Sequence, residues 1–225
     1  MGKQETQMVD IVPELLQKIK KDFAKALKGR TIIELKEQAI NSDSYEDAEK
    51  YADEVGKILS ECLRRYVVAE ELPDGKMYYN IASRIMSALL LDEHNEAIEV
   101  AEQVQENINA RGGIGLKAIT GQFNSDRAKG IIERLALAEG IEEISWIFDE
   151  PIKNFAMAAV DDTAKQNADF QSEVGLKPVI IRTAEVDCCP WCAALAGTYE
   201  SDKAPADVWK RHENCRCVIN YQVRR

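Results

Sequence analysis

Long apolar runs are missing from this 225-residue chain. The longest, Ile85 to Leu91, includes Ser87 and stops at Asp92-Glu93. It falls well short of the ~20 residues that a membrane-crossing helix needs. No apolar stretch of signal-peptide type follows Met1-Gly2-Lys3-Gln4-Glu5, so synthesis in a reducing cytoplasm is expected, without a membrane partner. Catalytic signatures are also scarce. There is no P-loop, no Gly-x-Ser-x-Gly and no HExxH helix. Histidine occurs only twice. Acidic residues are plentiful, but nothing marks any carboxylate pair as an acid–base couple. The chain is expected not to be an enzyme. It shows neither an internal repeat nor a low-complexity tract.

What is present begins with apolar content of 45%, enough for a sizeable core. The net charge of −10 is unevenly spread. Residues 1–177 hold 22 basic and 33 acidic residues, whereas residues 178–225 hold seven basic and six acidic ones. So acidic a body argues against general duplex-DNA binding through its helices. Lys210, Arg211, Arg216, Arg224 and Arg225 gather near the C-terminus. Contacts from these few residues would give only weak, salt-sensitive binding to nucleic acid.

Apolar periodicity predicts a mainly α protein: a multi-helix body with a small C-terminal α+β module. Val12, Leu15, Leu16, Ile19, Phe23 and Leu27 define a first helix over Ile11–Leu27. A short helix covers Ile32–Ile40. Behind a capping-box-like Ser44 and Asp47, residues Tyr45, Ala48, Ala52, Val55, Leu59, Cys62 and Tyr66 recur every three or four positions, the seam of a packed helix. Helices are predicted over Tyr78–Leu91 and Glu96–Ala110, with His94 at the surface between them. The glycine-rich Arg111–Gly115 is the expected hinge. Domains of 1–123 and 124–225 follow from it. Asn124 caps the next helix, and Pro151 opens a longer one that stops at Gly175. Pro178–Thr183 and Cys217–Val223 have strand character, with a short helix between them at Ala206–His212. Trp146, Phe148 and Phe155 are read as packing residues. Arg182 and Arg216 are expected either in solvent or paired with acids.

Of six cysteines, Cys62 stands alone on the helical seam and is expected in the core. The other five, Cys188, Cys189, Cys192, Cys215 and Cys217, fall within residues 188–217. Clustered cysteines in such a chain favour metal over disulfides. The Cys189-Pro190-Trp191-Cys192 pair can turn both sulfurs to one ion at about 2.3 Å. Any two of His212, Cys215 and Cys217 then complete a tetrahedron. The preferred set is Cys189, Cys192, Cys215 and Cys217, with His212 as substitute ligand or as hydrogen-bond partner of a ligand. Donors of this type suit a closed, structural zinc ion (Zn2+). Competing readings are a thioredoxin-like redox pair, a pair of disulfides and buried structural cysteines. The first leaves Cys215 and Cys217 without a role.

The same segment resembles the Mu F-like minor head proteins of tailed phages. The resemblance is carried by Asn167 to Phe170, Gly175-Leu176-Lys177-Pro178, Ile180-Ile181-Arg182-Thr183 and Asp187. It continues through Cys189-Pro190-Trp191-Cys192 with Leu195-Ala196-Gly197, and closes on His212-Glu213-Asn214-Cys215-Arg216-Cys217. It is closest beyond Asn167 and looser back to Asn124. It departs at Glu213, where family members commonly have Pro. The resemblance implies a minor component of the virion head, made in the host cytoplasm and acting in head assembly or DNA delivery. It implies a portal or major capsid protein as partner, and packaged DNA at the basic C-terminal end as a further contact. Some relatives continue into a toxin or enzyme domain; eight residues follow Cys217 here, so an effector role is not expected. A cytoplasmic zinc-knuckle protein that binds nucleic acid or regulates, and a thiol-redox protein built on Cys189 and Cys192, are the alternative functions.

Overall fold

The computed structural model describes residues 10–212 and 215–224. The first helix, α1 (Val12–Ala26), buries Val12, Leu15, Ile19 and Phe23 along one face, with Pro13 in its opening turn. α2 (Arg30–Ile40) follows. α3 (Tyr45–Tyr66) has the predicted bounds, and Ser44 Oγ caps it by accepting the Glu46 N–H. Cys62 lies in the core, as expected.

The two helices predicted over Tyr78–Leu91 and Glu96–Ala110 are one helix, α4 (Tyr79–Gly112). Asp92 to Asn95 interrupt the apolar pattern but include no Gly or Pro to break a helix. Glu93 and His94 continue the buried stripe instead. His94 is therefore not a surface residue. It lies edge-on to Phe123 with ring centroids 5.5 Å apart, and burial pushes its pKa down. α4 ends at the expected glycine-rich break. Gly113 adopts φ 62, and the Ile114 N–H closes onto the Asn109 carbonyl at 2.8 Å.

The chain then passes through residues 114–124 into α5 (Ser125–Leu137), capped by Asn124 as predicted, and a short turn of helix, α6 (Ile141–Ile144). Next comes the long α7 (Glu150–Glu173), with Pro151 in its first turn. Phe148 and Phe155 are buried, but Trp146 is 45% exposed and is not a packing residue. The boundary expected after residue 123 falls in the connection before α5. One continuous core joins residues from both sides of it, from Val12 to Tyr221.

α3, α4 and α7 form the centre of the body. α3 and α7 meet so closely at Gly56 that a Cβ there would lie 2.6 Å from Lys153 Cα. Only glycine allows this approach. Glu93 sits at the same junction, 3.1 Å from the position of that missing Cβ. It is fully buried, and neither carboxylate oxygen has a hydrogen-bond partner.

After α7 the chain turns into β1 (Lys177–Thr183), a short helix α8 (Pro190–Leu195), β2 (Gly197–Glu200) and finally β3 (Val218–Arg224). The three strands form an antiparallel sheet of order β2-β1-β3. β1 is central, and Ile180 lies opposite both Tyr199 and Tyr221. β2 and α8 were not predicted. β2 is four residues long and opens on Gly, too little for a period-2 signal. The helix predicted at Ala206–His212 is absent. Residues 206–209 form turns, and the carbonyls of Val208 and Lys210 are taken by the Arg182 guanidinium.

The sheet is bound to the body through polar groups. Asn220 Oδ1 accepts the Tyr45 N–H at 2.7 Å, and Glu49 Oε1 accepts the Ile219 N–H at 3.0 Å. The hydroxyls of Tyr45 and Tyr221 both donate to Gln105 Oε1 at 2.6 Å. Asn109 Oδ1 in turn accepts from Gln105 at 2.9 Å and from Gln171 at 2.8 Å. This network joins α3, α4, α7 and β3. Buried amides and hydroxyls paired in this way favour one arrangement, because another would leave them unpaired, although Gln171 Oε1 has no partner among the described residues.

Burial holds the Glu93 carboxyl well above its ordinary value of 4.5. The folded protein therefore keeps a proton that the unfolded chain loses above about pH 4.5. Stability from this group is complete below that pH and declines as pH rises. Glu93→Gln should accordingly gain stability over the parent more at pH 7.5 than at pH 4.5 in urea unfolding. A difference that does not change with pH would mean that Glu93 is ionised in the fold.

Candidate metal centre

The sheet and α8 bring the C-terminal cysteines together. Cys189 follows β1 and caps α8, where its Sγ accepts the Cys192 N–H at 3.4 Å. The cap turns the CxxC so that both sulfurs face the same side. Cys215 and Cys217 lie just before β3. The antiparallel pairing of Thr183 with Val218 returns them beside the end of β1. His212 closes the group from the segment behind Arg211. All six cysteines are free thiols.

Two sets of donors result. Cys189, Cys192 and His212 form one, and Cys192, Cys215 and Cys217 the other; within each, the ligand atoms lie within 4.8 Å of one another. Cys192 belongs to both. His212 Nε2 is 3.2 Å from Cys189 Sγ and 2.9 Å from Cys192 Sγ. Cys192 Sγ is 3.8 Å from Cys215 Sγ. This is far beyond a disulfide bond. It equals the edge of about 3.8 Å that a tetrahedron with metal–sulfur bonds of about 2.3 Å requires. The Cys/His cluster can thus hold a metal ion. All five residues expected as ligands, Cys189, Cys192, His212, Cys215 and Cys217, are in it. Cys188 packs against the cluster without joining either donor set.

Cys192, Cys215 and Cys217 are buried, whereas Cys189 and His212 are half-buried. An open cleft of about 430 Å3 lies over the donors and is also lined by Glu185 and Asp187. It gives a metal ion a way in. Burial pushes the Cys192 thiol up, and the neighbouring Cys217 and Cys215 push it further. Cys217 is likewise raised by burial. The Cys192 N–H lowers Cys189. Sulfurs crowded in a low-dielectric site oppose one another's ionisation. A bound cation relieves that opposition.

The surrounding residues clamp the site to the body. Arg211, adjacent to His212, is buried between Glu49 of α3 and Asp161 of α7. Its Nη2 lies 2.8 Å from Glu49 Oε2 and 3.1 Å from Asp161 Oδ1. Arg216, between Cys215 and Cys217, bridges Asp53 of α3 at 2.9 Å and Glu150 of α7 at 2.7 Å. Of the two alternatives left open for Arg216, solvent or an acidic partner, the structure has the second. Arg182, by contrast, is 2% exposed and faces the sulfurs. Sequence reading missed both Arg182 and Arg211 as parts of the site. Their signal was only a basic residue inside an apolar strand and another beside a candidate ligand. Among the described residues, no helix is long and apolar enough to cross a membrane. Comparison of the chain with known protein families, curated proteins and solved structures finds no match.

Because Cys192 belongs to both donor sets, Cys192→Ser should abolish divalent metal uptake. Cys188→Ser should leave uptake within about twofold of the parent, since Cys188 belongs to neither donor set and supplies no ligand atom. Elemental analysis of the purified variants checks both. Equal losses from the two substitutions would contradict this division.

Proposed function

We propose that this chain is a minor structural protein of a phage head, folded around one structural zinc ion. It acts at the portal or inner capsid surface in head assembly or DNA delivery. The observation that carries the zinc reading is the pair of three-donor sets, Cys189–Cys192–His212 and Cys192–Cys215–Cys217, that share Cys192 at the junction of sheet and body. Thiolate and imidazole donors suit zinc, and a donor set that exceeds four leaves no coordination position reserved for substrate. The ion therefore acts as a staple. It would tie the segment before β3 to the end of β1, and a zinc ion contributes apparent binding free energy on the order of 10–16 kcal/mol in small zinc modules.

The phage assignment is supported by the resemblance of the segment from Asn167 to Cys217 to Mu F-like minor head proteins. The acidic helical body suits a role in protein–protein assembly better than one on DNA. Packaged DNA would meet only the basic C-terminal end.

A thiol-redox function is the second reading. It is favoured by the placement of Cys189 as the cap of α8, where the Cys192 N–H stabilises a thiolate. It still leaves Cys215 and Cys217 without a role.

Particles of the phage that encodes the chain should contain it at low copy relative to the major capsid protein, in the head fraction. Quantitative mass spectrometry of separated heads and tails measures this. Presence in the infected-cell lysate but not in particles would contradict a virion role. Thiol–disulfide exchange by the metal-free protein at rates typical of oxidoreductases would move the redox reading ahead.

A further inference from the structure

Arg182 is the largest of the fully buried side chains. A buried guanidinium costs several kcal/mol unless an anion faces it. Among the described residues, no carboxylate forms an ion pair with it. Its Nη1 donates to the carbonyls of Val208 and Lys210, the latter at 3.0 Å. Its Nη2 points at sulfur, 3.9 Å from Cys192 Sγ and 3.8 Å from Cys215 Sγ. Its Cζ lies 5.4 Å from the centroid of the Trp191 ring, which covers one face. Trp191 also meets His212 edge-on at 5.5 Å.

Neutral thiols are weak acceptors and give a buried cation little. Metal-bound thiolates are anions and accept charge-assisted hydrogen bonds. A divalent ion held by four thiolates carries a net excess of two negative charges; three thiolates and an imidazole leave one. Either excess would be costly in a buried site.

We propose that Arg182 is the built-in countercharge of the metal–thiolate centre. Its guanidinium offsets the negative charge left on Cys192 and Cys215 when a divalent ion binds. Through Val208 and Lys210 it also holds the segment that carries His212 against the sulfurs. Arg182 is thus a positioning residue of the centre, and this role rests on the metal reading above.

The test uses the full chain with zinc and with cobalt(II) as a spectroscopic probe. Zinc affinity is measured by competition with a chromophoric chelator for the parent, Arg182→Lys and Arg182→Met. Arg182→Met should bind zinc about 10–100-fold more weakly. Its sulfur-to-cobalt charge-transfer band should move to lower energy, because the thiolates lose a nearby positive charge. Arg182→Lys should recover part of both changes. If Arg182→Met does not fold, a partial affinity loss with a band shift in Arg182→Lys supports the proposal. Unchanged affinity and band in a variant that has lost only thermal stability would overturn it, leaving Arg182 as a pin for residues 208–210. A parent protein that takes up neither zinc nor cobalt would overturn the metal reading itself.

Discussion

The ion triad of Arg211 with Glu49 and Asp161 fixes the relation between the two parts of this protein. Arg211 comes from the segment that ends in His212, Glu49 from α3 and Asp161 from α7. All three side chains are at most 5% exposed. Burial pushes the Glu49 carboxyl up, and Arg211 opposes this. Such a triad adds little net stability compared with apolar packing, but breaking it by removing one partner costs about 3–5 kcal/mol. Its contribution is therefore to specificity of arrangement. In this seating of the C-terminal segment on the α3–α7 pair, Arg211 faces both carboxylates.

The rest of the centre is consistent with that seating. Arg216 repeats the bridge to α3 and α7 closer to solvent, where ion pairs contribute less. The Gln105–Asn109 network fixes the far end of the sheet through Tyr221. The donors lie between these anchors, where the three-stranded sheet packs on the body through Ile180, Ile219 and Tyr221. Position is set by the body and closure by the sulfur–imidazole cluster. The close crossing of α3 and α7 at Gly56 matters for the same reason, because both helices supply carboxylates to the clamp.

The helical class of the body, the bounds of α3 and the two longer strands were legible because each rests on local periodicity or a cap. The cluster was legible because cysteine spacing is a local property too. α4 was misread where Glu93 and His94 looked like a surface break; whether a polar residue points inward depends on neighbours that are remote in sequence. The Ala206–His212 helix failed for a related reason. Local propensity favoured it, but Arg182, more than twenty residues earlier, takes its carbonyls. Sequence leaves Arg182 between solvent and an acidic partner, and among the described residues it has neither; Arg211 reads only as one of the basic C-terminal residues. Sequence could place neither, since each makes its contacts across tens of residues.

X-ray absorption at the zinc edge of the purified full chain tests the central claim most directly. The account predicts a four-coordinate ion with sulfur neighbours at about 2.3 Å, three or four in number, and any remaining neighbour a nitrogen at about 2.0–2.1 Å. Protein that holds no zinc, or zinc surrounded only by oxygen and nitrogen, would contradict it.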